Sequence, residues 1–125
     1  MHSQSALIVI SSIASREVVQ AALQDQGIGV YHLAWDGTID RLPLDDGLIV
    51  IDQAGLAALE PNARDTLLAS TFASTRDTVL VCSVDEYFSA PRSCFSLVLV
   101  TPLLPRVVQT ALQQLVDARR TGIAR

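Results

Sequence analysis

No lysine occurs in this sequence: all nine basic residues are arginines, set against 13 acids for a net charge of −4. Without a basic excess or a basic stripe, direct binding to nucleic acid is not expected. Cysteine is scarce as well. Cys82 and Cys94 fit no zinc or redox spacing, and Cys82 sits in an apolar run where it reads as packing. A reducing cytoplasm is the compartment this implies. No apolar run reaches the roughly 18–20 residues of a spanning helix, so no membrane contact is expected. The start, MHSQSALIVI, has neither a basic leader nor a cleavage pattern. It runs almost at once into a strand, as a piece of a longer signalling chain would. A Gly-rich phosphate loop, a nucleophile paired with a base and a metal cluster are all missing. Neither an enzyme nor a cofactor is therefore expected.

What is present is material for a core. Of 125 residues, 50% are hydrophobic and only 18% charged, and the mean hydropathy is +0.36. One folded domain over 1–125 follows, with no linker, repeat or low-complexity segment.

Continuous apolar runs of strand length suit strands covered on both faces. SALIVI (Ser5–Ile10), GVYHLAW (Gly29–Trp35), GLIVID (Gly47–Asp52), TVLVCSV (Thr78–Val84) and FSLVLV (Phe95–Val100) are such runs. After the first, Ser15 is placed to cap a helix with Glu17 in its first turn. Val18, Val19, Ala22 and Leu23 form its apolar face, and Gly27 stops it. DGTIDRLPLDD holds at most one short helix before Pro43. A helix starting near Pro61, with Leu67 and Leu68 inward, fills the third gap. DEYFSAPRSC is too short, and too interrupted by Pro91, for a regular fourth helix. Pro105 opens the last helix, whose apolar stripe is Val107, Val108, Ala111, Leu112, Leu115 and Val116. Arg119 and Arg120 suit its negative end. The pattern is a flavodoxin-like α/β domain. It has five parallel strands in the order 2-1-3-4-5, helices on both faces, and reduced second and fourth helices.

Function in such a sheet sits at the carboxyl ends of the strands. Here those ends carry Ser11 and Ser12, Asp52, Ser83, and Thr101 followed by Pro102. In this order and spacing the chain resembles the receiver domains of two-component signalling. The resemblance puts Asp52 on the phosphoryl-accepting aspartate and Ser83 on the hydroxyl position. Thr101-Pro102 falls on the Lys-Pro pair, and Ser11 and Ser12 on the acid pair after the first strand. It implies histidine kinase or receiver domains as partners.

The departures bear on chemistry. Phosphoryl transfer needs a metal and cations around the developing charge. Mg²⁺ prefers carboxylate oxygens, and two serines are neutral. The lysine is replaced by Thr101, and no other lysine exists to serve. Asp52 accordingly reads as a vestige, a strand-end carboxylate that accepts hydrogen bonds from loop amides. The module is expected to act by contact, as a pseudo-receiver. LVTPLLPRVVQTAL further resembles the end of the degenerate receiver inserted in BarA/GacS-type hybrid sensor kinases. The alternatives are a receiver still phosphorylated atypically on Asp52, and a regulatory domain binding an anion or nucleotide through Arg76 or Arg92. The three serines after strand one offer an anion-binding turn in that case.

Receivers dock partners through the fourth helix, fifth strand and last helix. Tyr87, Phe88 and Arg106 are the interface candidates there, and a homodimer is a further expectation. The plainer reading of Tyr87 and Phe88 is that they cover the core edge in place of the missing helix. Asp45, Asp46, Asp85 and Glu86 offer a cation site, or simply solvated loop charge. His32 reads as a packing or surface residue, and His2 as part of a loose terminus.

Overall fold

The computed structural model of the protein describes residues 5–42, 47–72 and 77–120, with the side chains of 70–72, 119 and 120 excepted. Five strands, β1 (Ser5–Val9), β2 (Gly29–His32), β3 (Leu48–Asp52), β4 (Asp77–Cys82) and β5 (Leu97–Val100), form one sheet. All its pairings are parallel and its order is β2-β1-β3-β4-β5, as expected from the sequence. The helices are α1 (Ile13–Gln24), α2 (Gln53–Ala58), α3 (Pro61–Phe72), α4 (Val84–Tyr87) and α5 (Pro105–Arg120).

Alternation along the central strands feeds two cores. Ala6, Ile8, Leu48, Val50, Val79 and Val81 point to one face, where α1 covers them with Val19 and Leu23 and α5 with Val108, Leu112 and Val116. Leu7, Val9, Ile49, Ile51 and Leu80 point to the other, against Leu56 and Leu67 of α2 and α3. Burying each such side chain contributes about 1.5–3 kcal/mol.

Two crossovers depart from helix. Among the described residues between β2 and β3 there is none. Instead the chain runs as a loop that bends at Asp36–Gly37, with Leu33, Trp35, Ile39 and Leu42 against the second core. The Ile39 amide donates to Ala58 O at 2.7 Å, and the Glu60 amide donates to Ile39 O at 2.9 Å. Between β4 and β5, α4 is a single turn followed by a 3₁₀ turn at Arg92–Cys94, and Ala90 and Phe95 plug the core.

Other expectations need correction. β2 stops at His32, because Leu33 and Trp35 turn into the second core. The helical stretch after β3 begins immediately, as α2, and breaks before Pro61. The cap of α1 is Ser12, not Ser15: the Ser12 hydroxyl accepts from the Ser15 amide at 3.3 Å, Ser15 is buried, and Glu17 lies beyond the first turn. On α5 the buried stripe is Val108, Leu112 and Val116, at four-residue intervals, which leaves Val107 on the flank and 59% exposed.

Candidate functional site

The carboxyl ends of β1, β3, β4 and β5 frame a crevice of about 170 Å³, lined in part by Ser11, Ser12, Asp52, Ser83, Glu86 and Thr101. The topology thus brings together the residues picked from strand ends, Pro102 excepted. Pro102 follows a cis Thr101–Pro102 peptide and is exposed.

Asp52 ends β3 and is 8% exposed. Its Oδ2 accepts from the Ser11 amide at 2.8 Å and from the Ser11 hydroxyl at 2.7 Å. Its Oδ1 accepts from the Gly55 amide at 2.7 Å, which makes Asp52 the N-cap of α2. Three donors therefore surround one carboxylate. Hydrogen bonds of this charge-assisted kind are about twice as strong as neutral ones. Gly55 was not singled out in the sequence. Its signal was an aspartate three residues before a glycine at the start of a helix. A Cβ on Gly55 would lie 2.8 Å from Val9 O, so only glycine fits there without a shift.

Ser83 is also engaged. Its hydroxyl accepts from the Glu86 amide at 3.2 Å, and its own amide donates to Glu86 Oε1 at 2.9 Å. This is a reciprocal capping box, legible in the sequence as S-x-x-E. Glu86, weighed as a cation ligand with Asp85, is occupied in this way. Asp45 and Asp46 lie outside the described residues. Thr101 hands its amide to Cys82 O at 2.9 Å. Cys82 is buried at the crevice wall. Burial, and then the nearby Glu86 carboxylate, push its thiol pKa up, while Arg92 pulls it down.

Receivers use Mg²⁺, and these residues do not fit it. The carboxylates among the described lining residues are Asp52 and Glu86, and each is committed to amide donors. The remaining side-chain oxygens near them are neutral, the serine and threonine hydroxyls and the buried, unpaired Oε1 of Gln53, and a site short of free carboxylates holds Mg²⁺ poorly. No group of three His, Cys, Asp or Glu side chains stands together among the described residues.

The crevice is no better suited to an anion. Arg76 lies outside the described residues. Arg92 instead stacks on aromatic rings, with its guanidinium 4.3 Å from the Tyr87 centroid and 5.7 Å from that of Phe88. Tyr87 and Phe88 meet edge to face at 5.3 Å. Phe88 is 77% exposed, so it does not cover the core edge as the plainer reading held; Ala90 and Phe95 do that. Tyr87 is half-buried and Arg106 exposed. His32 is exposed and pairs with Gln20 at 2.8 Å. His2 lies outside the described residues.

No protein-family model and no curated protein matches the chain. Solved structures do match it in fold. A CheY-like response regulator receiver domain protein from Methanospirillum hungatei JF-1 superposes with a TM-score of 0.64 at 14% identity, over 97% of this chain and 99% of that one. A CheY-like receiver domain from Methylobacillus flagellatus gives 0.56 at 18% identity, over 90% and 98%. A response regulator from Thermotoga maritima gives 0.60 at 10% identity, over 93% and 99%. The chain has the receiver-type fold, a five-stranded parallel sheet in the order 2-1-3-4-5 with helices on both faces.

Proposed function

We propose that this domain is a pseudo-receiver, a non-catalytic interaction module of two-component signalling in the cytoplasm. It works by packing against histidine kinase or receiver domains of its own or a partner protein, and so changes their position or pairing. The single observation that carries this reading is the state of Asp52, whose two oxygens are already held by Ser11 and Gly55. An acceptor needs an open carboxylate lone pair for the incoming phosphorus and cations to stabilise the charge that develops, and three of the roughly four lone-pair sites of Asp52 already take donors. Here Thr101 stands where a lysine would, and the chain has none. A hybrid kinase of the BarA/GacS type is the proposed context, on the strength of the LVTPLLPRVVQTAL resemblance, with this chain one domain of the larger protein.

An anion- or nucleotide-binding role is less well supported. Asp52 and Glu86 share the crevice, and no arginine or histidine is among its described lining residues. Like charge at a focused site repels an anion. The proposal is tested by incubating the domain with acetyl phosphate and Mg²⁺ and recording its intact mass. No phosphoryl adduct is expected. An adduct that vanishes in Asp52→Ala would replace the proposal with an atypical but working receiver.

A further inference from the structure

We infer that Asp52 has become a clasp, an anion whose work is to join the β1–α1 turn to the first turn of α2 with no metal between them. The inference rests on the pseudo-receiver reading for its setting but on separate observations. Oδ2 takes two donors from one residue, Ser11, 41 positions away in sequence. Oδ1 takes the amide of Gly55 at the start of α2. Gly55 sits so close to β1 that a Cβ would press on both Val9 O and Val9 Cγ1. The carboxylate therefore lies at a point where the end of β1, the end of β3 and α2 already touch. Three donors converge on it, and it is nearly sealed from water.

The physical signature of this arrangement is opposite in sign to that of a metal pocket. In a pocket of like charges waiting for a cation, neutralising one acid relieves repulsion and raises the stability of the metal-free protein. In a clasp, the carboxylate is held by donors only. Replacing one oxygen with an NH₂ group sets donor against donor and leaves the buried Gly55 amide or the part-buried Ser11 donors unsatisfied, so stability falls. Glu86 shares the crevice and keeps its charge while Oε1 accepts from the Ser83 amide, so its repulsion of Asp52 works against this fall; three donors on Asp52 against one like charge keep the expected sign a loss.

The experiment is a thermal-unfolding cycle on the domain with Asp52→Asn, Ser11→Ala and the double variant, each in EDTA and in excess Mg²⁺. Each single variant is expected to lower the Tm by roughly 3–10 °C. The double variant should lose clearly less than the sum, because the bond from the Ser11 hydroxyl to Asp52 is lost in both single changes. Mg²⁺ should leave the wild-type Tm where EDTA leaves it. A Tm raised by Asp52→Asn, strictly additive losses, or a wild-type Tm raised by Mg²⁺ would each overturn the clasp. Ser11→Ala removes one hydroxyl only and keeps the test readable if Asp52→Asn does not fold. These outcomes are separate from those of the proposed function. A domain without the clasp can still refuse phosphate, and a phosphorylated domain would appear in the mass measurement whatever the cycle gave.

Discussion

The Gly55 amide lies 2.7 Å from Asp52 Oδ1, and a side-chain carbon on the same glycine would lie 2.8 Å from Val9 O. One residue thus both feeds the carboxylate and lets α2 approach β1. Gly55→Ala is expected to push α2 outward against a backbone oxygen that cannot move aside. The cost should be about 1–3 kcal/mol. Urea denaturation checks this: the midpoint should fall with little change in slope.

The capping box at Ser83 predicts a local effect. Ser83→Ala removes the acceptor for the Glu86 amide and should cost about 0.5–2 kcal/mol. Because α4 is a single turn with no buried residue, amide exchange at Asp85 and Glu86 should rise much more than exchange in β4. Equal acceleration in both would show that the turn is coupled to the sheet.

Cys82 predicts a dependence on pH. Burial and Glu86 raise its thiol pKa above the ordinary 9.0. The folded protein therefore holds this proton more tightly than the unfolded chain. The stabilisation is complete below about pH 9, and is lost as the pH rises through the ordinary value toward the raised one. A Cys82→Ser variant, compared with wild type across pH 8 to 10.5, should show a shallower alkaline fall in stability. In the native state Cys94, which is less buried, should react with a thiol reagent before Cys82 does.

Phe88 and Arg106 predict a separation of stability from function. Both are exposed, so Arg106→Ala should change stability by no more than about 0.5 kcal/mol, and Phe88→Ala, which also gives up the edge-to-face contact with Tyr87, by no more than about 1.5 kcal/mol. Exposed aromatic and arginine side chains are the types that anchor interfaces. In the signalling protein of the proposed function, the two substitutions should reduce output. Normal output from both variants would remove this surface from the proposal.

The frame of the fold was legible because parallel strands buried on both faces read as unbroken apolar runs, and LIVI before Asp52 is such a run. The sheet order followed from the crossovers. The misplaced elements share a cause. Tertiary contacts override local signals, so Leu33 and Trp35 leave the strand pattern for the second core and Val107 falls beside the stripe rather than in it. At the site, which strand ends converge was readable from topology alone. The bond from Ser11 to Asp52 was not, because the two residues are far apart in the chain. The Glu86 and Gly55 contacts each span three residues and were present in the sequence as S-x-x-E and D-x-x-G.

The central claim is that Asp52 is held by donors and does not work as a phosphoryl acceptor. It is tested most directly by an amide NMR titration with Mg²⁺, followed by beryllofluoride, a mimic of an aspartyl phosphate. The account predicts no saturable shifts at Ser11, Asp52, Gly55 or Ser83 in either step. Saturable shifts at these amides that spread to Thr101 and α5 would contradict it and reveal a working switch.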